Sequence, residues 1–121
     1  MKRILIIEDD RKIALALALR LRSNGYEATV AYDALSGVTT AVKLKPDLVL
    51  LDVSIPAGNG FSVAERIQAL VPTLTPIIFL TASKRSEIRR LAMEAGAAAF
   101  FEKPYDAQEL LNTIHQTLGN P

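Results

Sequence analysis

Four short stretches of the chain carry side chains that could act on phosphate or hold a cation. They are Glu8-Asp9-Asp10, the isolated acid Asp52, Thr81-Ala82-Ser83, and Lys103-Pro104. Each lies just past a short apolar run, where a buried segment would come out to the surface. Carboxylates brought close together repel, which favours a shared proton or a bound cation. The acids offer hard oxygen donors, and the chain has no cysteine. That set suits Mg2+, which keeps several waters and takes one or two carboxylates. Mg2+ beside a lysine and a hydroxyl is the equipment that stabilises a phosphoryl group in transfer. In such a site Asp52 is the nucleophile and an aspartyl phosphate is the product.

Taken singly, each stretch has a plainer explanation. Acids favour helix N-termini, so Asp10 fits a helix start. Thr81 fits a helix cap, and Lys103 fits a solvated loop. Chance does not explain their recurrence after one apolar run after another.

The elements that would carry these residues follow from the same pattern. Ile4-Leu5-Ile6-Ile7 and Leu48-Val49-Leu50-Leu51 are continuous apolar runs, which suit strands buried on both faces. Strands are predicted over residues 4–7, 27–32, 48–51, 76–80 and 98–101. Between them lie helical stretches over residues 11–23, 34–44 and 61–71, one ending at 95, and a last one from 107 to about 118. Asn24-Gly25 stops the first, Asp33 caps the second and Asp106 caps the last. Gly37, Thr39 and Thr40 weaken the second helix. Ser83 or Ser86 is the expected cap of the fourth. Residues 55–60 carry strong turn signals. Strands alternating with helices imply an α/β fold, a parallel sheet covered on both faces by right-handed crossovers. Such a doubly wound sheet binds its ligand outside the carboxyl ends of the strands, where strand order reverses. The four chemical stretches all fall there.

Composition narrows the field. The chain has 121 residues, half of them apolar, which fits one packed domain over residues 1–121. A formal net charge of +1 supplies no field of the kind that draws nucleic acid, so direct nucleic-acid binding is not expected. Without cysteine there are no disulfides, cysteine–zinc sites or thiol catalysis. The single histidine, His115, has no visible partners for a metal cluster or a triad and reads as a residue of the last helix. The apolar runs at 4–7 and 13–19 are too short for a signal core or a membrane span. The expectation is a soluble, cytoplasmic chain with no membrane insertion.

Four motifs, ILIIEDD, PDLVLLDVSIPAGNG, PIIFLTAS and GAAAFFEKP, follow one another in order between residues 4 and 104. In them the sequence resembles a response-regulator receiver domain of two-component signalling, the fold of the bacterial chemotaxis regulator. The resemblance implies a flavodoxin-like sheet of five parallel strands in the order 2-1-3-4-5 with five helices. It implies that Asp52 is the phosphoacceptor and that Lys103 binds the phosphoryl group. Glu8, Asp9, Asp52 and the backbone carbonyl of Ser54 would hold Mg2+, with Asp9 a direct ligand and Glu8 acting mostly through water. Thr81 would be the switch hydroxyl and Phe100 the switch aromatic, here lacking the hydroxyl of the tyrosine common at that position. A cis Lys103-Pro104 bond is implied as well. The partners would be a sensor histidine kinase or histidine phosphotransfer protein, and an output partner or domain that the sequence does not name. Such a module catalyses only its own phosphorylation and slow self-dephosphorylation.

Two surfaces are candidates for partners. Leu15 and Leu19 share a face of the first helix, opposite Leu17 and Leu21. Lys84, Arg85, Arg89 and Arg90 give the fourth helix a basic start, and Ala97-Ala98-Ala99 lacks the acidic pair of one large DNA-binding subfamily. Competing readings are weaker. A haloacid-dehalogenase-type phosphatase needs an acid two residues after its nucleophile, and Ser54 stands there. A flavin-binding module needs a hydroxyl- and glycine-rich cradle after the first strand, where Glu8-Asp9-Asp10 would repel phosphate. A phosphorylation-independent relative of the receivers would be expected to have lost an acid or the lysine.

Overall fold

The computed structural model describes residues 1–55, 58–71 and 74–119. Pro56 and Ala57 of the predicted turn lie outside the described residues. The chain alternates β1 (Arg3–Ile7), α1 (Arg11–Ser23), β2 (Glu27–Ala31), α2 (Ala34–Leu44), β3 (Leu48–Asp52), α3 (Gly60–Leu70), β4 (Ile77–Thr81), α4 (Ser86–Glu94), β5 (Ala99–Glu102) and α5 (Ala107–Leu118). The strands form one parallel sheet in the order β2-β1-β3-β4-β5, as the resemblance implies.

The continuous apolar runs have the predicted cause. Residues Ile4 to Ile7 and Leu48 to Leu51 are wholly buried, because helices cover both faces of the central strands. Alternate side chains feed two cores. Ile4, Ile6 and Leu50 pack with Leu17, Leu21 and Ile114 of α1 and α5. Leu5, Ile7 and Leu51 pack with Val38, Val63 and Ile67 of α2 and α3. Each such side chain contributes roughly 1.5–3 kcal/mol by leaving water.

Caps fix where most helices begin. Asp10 Oδ1 accepts from the backbone of Lys12 (3.0 Å) and Ile13 (3.1 Å), and Asp106 Oδ1 from Gln108 (2.8 Å) and Glu109 (3.0 Å). Asp33 accepts from Ser36 N–H, and those bonds hold its carboxyl below the ordinary range. The expected serine cap of α4 is not found. Arg85 stands at that N-cap without a side-chain capping bond, while Ser83 Oγ accepts from Arg85 N–H at 3.3 Å, two residues before the cap position. Only Ala92 of α4 is fully buried, so this helix is lightly anchored. Gly37, which weakens α2 on propensity, has a packing reason. A Cβ there would lie 2.8 Å from Ile7 Cδ1, so the glycine lets α2 approach β1. His115 lies on α5 as expected, and its Nδ1 shares a hydrogen bond with the Tyr26 hydroxyl at 3.1 Å.

Strand ends differ from expectation in a way that matters. Tyr32 falls outside β2, whereas β3, β4 and β5 run on through Asp52, Thr81 and Glu102. Pairing extends them: Asp52 is level with Leu80, and Thr81 with Glu102. Since Ile7 is level with Leu51, Glu8 and Asp52 emerge side by side.

Candidate functional site

The register gathers the predicted groups at one rim. Lys103 Nζ donates to Glu8 Oε1 at 2.5 Å and to Asp52 Oδ2 at 2.6 Å. Both acids are buried, with Glu8 1% and Asp52 5% exposed. Burying carboxylates costs several kcal/mol each unless a counter-charge and hydrogen bonds compensate. The ammonium does so here, helped by Ser54 N–H to Asp52 Oδ1 (2.9 Å) and Asp10 N–H to Glu8 Oε2 (3.3 Å).

Electrostatics follow from this packing. Burial pushes Glu8 up to about 7, against the pull of Lys103, and the nearby Asp52 carboxyl pushes the same way. Burial pulls Lys103 down, but its bonds to Asp52 and Glu8 outweigh it and hold the ammonium above its ordinary value. Tyr105, two residues beyond the lysine, is also pushed up by burial. The Lys103-Pro104 peptide is cis, as the resemblance implies.

Asp9 is exposed beside these two acids. Glu8, Asp9 and Asp52 each offer one carboxylate oxygen, and these atoms lie within 4.8 Å of one another. Three hard donors, two buried and one at the surface, fit a small divalent cation.

Thr81 is buried at the end of β4. Its hydroxyl oxygen accepts from Ser83 N–H at 3.0 Å, so it is engaged with the β4–α4 loop. Phe100, level with Phe79 in the sheet, is half-buried against the α2–α3–α4 core. The Arg89 guanidinium carbon lies 5.9 Å from its ring centroid. Ser54 has its side chain exposed, and its N–H is the group bonded to Asp52.

Gly60 was read from sequence only as a turn residue. Its N–H donates to Val53 O at 2.7 Å, and a Cβ would lie 2.7 Å from the Asp52 carbonyl oxygen and 2.8 Å from Val53 Cα. The start of α3 therefore rests on the backbone that carries Asp52. The signal was present as Asn-Gly before a helical run, with Asn59 as the cap that accepts from Ser62 N–H. Arg11 was also missed. Its guanidinium carbon sits 4.1 Å from the centroid of the Tyr32 ring, beside the acidic rim.

Residues 4–115 match the model of the response regulator receiver domain, and the chain belongs to that family. It is 34% identical over 119 residues to the DNA-binding dual master transcriptional regulator RpaA of Synechocystis, covering 98% of this chain and 49% of that protein. It is 37% identical over 112 residues to the transcriptional regulatory protein DltR of Streptococcus agalactiae, covering 93% of this chain and 50% of DltR. The chain thus spans about half the length of these curated relatives. Among solved structures, a CheY-like receiver domain protein from Methanospirillum hungatei superposes with a TM-score of 0.91 at 30% identity, covering 98% of this chain and 94% of that one. The non-phosphorylated HemR receiver domain of Leptospira biflexa gives 0.89 at 33%, covering 100% and 97%. The molecule is a receiver domain of two-component response regulators, which disfavours the phosphatase reading. Among the described residues no helix is long and apolar enough to cross a membrane.

Gly60→Ala tests the contact beneath Asp52. Helix propensity alone favours alanine. The backbone contact predicts the opposite sign, a loss of about 1–3 kcal/mol by overpacking, read from urea unfolding.

Proposed function

We propose that this receiver domain accepts a phosphoryl group on Asp52 from a phosphohistidine of a sensor kinase or phosphotransfer protein. The observation that carries this reading is the Lys103 ammonium held against Asp52, with Glu8 and Asp9 alongside. Asp9, Asp52, the Ser54 backbone carbonyl and, through water, Glu8 would hold Mg2+. When bound, the cation supplies neutralisation of charge on the phosphoryl oxygens.

The chain's own residues do the rest. An Asp52 oxygen forms the new bond to phosphorus as the donor's P–N bond breaks, and the imidazole leaves with the electron pair. Lys103 leaves its pairing with Asp52 to take up a phosphoryl oxygen. Ser54 N–H keeps the carboxyl oriented. The hydroxyl of Thr81 then turns from Ser83 N–H toward the phosphoryl group. That frees space beside β4, and Phe100 turns into it. The outcome is a shift between two packings that exist in equilibrium. With Ser54 in place of a general acid, the product is a phospho-aspartate that hydrolyses slowly. Slow self-dephosphorylation suits a signalling module better than a turnover enzyme.

Leu15 and Leu19 are each 55% exposed on α1. They form an apolar spot that suits a helical histidine-donor protein. The regulated output is a partner or a further domain. The DNA-binding function in the names of RpaA and the mycobacterial regulator MtrA supports a transcriptional output, carried by that partner or further domain rather than by this one.

Incubation with Mg2+ and acetyl phosphate is expected to add one phosphoryl mass to the wild type. Asp52→Asn or excess chelator should abolish it, and labelling of Asp52→Asn equal to wild type would end this reading. Leu15→Asp should slow transfer from a phosphorylated histidine-donor protein while leaving labelling by acetyl phosphate unchanged. Equal slowing of both reactions would remove α1 as the docking face.

A further inference from the structure

The basic residues of α4 are not equivalent. Arg85, at its N-cap, pairs with Glu87 at 3.1 Å, and Arg90 pairs with Glu94 at 2.9 Å, each within its own segment. Arg89 instead reaches off the helix to the Phe100 ring on β5. A guanidinium over an aromatic face is attracted by the ring's quadrupole, and 5.9 Å is within the range where this counts.

The contact joins two elements that also share an apolar cluster through Ile88, Ala92 and Phe100 but are lightly buried. Among the described residues, α4 buries only Ala92 fully and has no side-chain cap, and no residue of β5 is fully buried. Phe100 has no hydroxyl with which to anchor an outward ring to solvent or backbone. From the sequence that orientation had nothing polar to gain. In the structure the Arg89 guanidinium supplies a polar attraction to the ring.

We propose that Arg89 is a positioning residue that holds the Phe100 ring in its present orientation and so sets how easily the receiver changes packing. This rests on the phosphorylation-driven switch argued above. The cation is exposed, so the bias is modest, about two- to fivefold in the ratio of ring orientations. By linkage, a variant that weakens the hold raises affinity for a phosphate mimic at Asp52 by a similar factor.

Two measurements on the same proteins test this. Side-chain three-bond couplings in isotope-labelled, unphosphorylated protein report the Phe100 rotamer populations. Arg89→Met keeps the apolar stem and removes the charge, whereas Arg89→Lys keeps a cation. The minor rotamer should gain about two- to fivefold in weight in Arg89→Met and return toward wild type in Arg89→Lys. Unchanged populations in Arg89→Met would overturn the assignment. Titration with beryllofluoride and Mg2+, followed by amide shifts, should show tighter binding in Arg89→Met by a similar factor. In a Phe100→Leu background the same substitution should have no effect, and an equal gain there would show that Arg89 acts by another route. If wild type shows no Asp52-dependent response to beryllofluoride, the phosphoacceptor reading fails, while the rotamer populations still decide what Arg89 does.

Discussion

One ammonium group between two buried carboxylates governs the architecture of this rim. Glu8 and Asp52 lie almost out of reach of water, where two unpaired negative charges would be strongly destabilising. Lys103 meets both at hydrogen-bond distance. The same proximity that makes the lysine necessary makes it useful. A group that must balance two carboxylates is already placed to balance a phosphoryl group built on one of them. Asp9, exposed at the edge, leaves the cluster open to a cation from solvent.

The sheet meets this constraint through register. Ile7 opposite Leu51 brings Glu8 beside Asp52, and Thr81 opposite Glu102 brings Lys103 one step past the hydroxyl. A slip of one residue in any of these pairs would invert the faces and separate the charges. The apolar runs resist such a slip, because each central strand is packed on both sides. Gly60 and Gly37 then let α3 and α2 lie close to the strands whose ends carry the acids. Stability and site geometry are therefore set by the same contacts, whereas α4 and β5 are only lightly buried.

Much of this was legible in the sequence, for identifiable reasons. Continuous apolar runs announced central strands, and Asp10, Asp33 and Asp106 announced helix starts, because both signals are local. The placement of Glu8, Asp9, Asp52, Thr81 and Lys103 followed from alternation, since a doubly wound sheet puts every strand end at one rim. What stayed hidden depends on distance between elements. Gly60 against Asp52 and Gly37 against Ile7 are contacts of packing, invisible to a propensity scale. The cap of α4 was misread because Ser83 uses its hydroxyl before the helix begins and its N–H on Thr81. Arg89 looked like one of several solvated cations until its angle on the helix placed it over Phe100.

The bridging role of Lys103 is most directly tested by a stability cycle in metal-free buffer with Lys103→Met, Asp52→Asn and their combination. The account predicts that Lys103→Met alone loses about 3–5 kcal/mol, because a buried carboxylate charge is left uncompensated even when Glu8, already pushed up to about 7, takes up a proton. Adding Asp52→Asn should recover a substantial part of that loss. Strictly additive losses, or a Lys103→Met variant as stable as wild type, would contradict it.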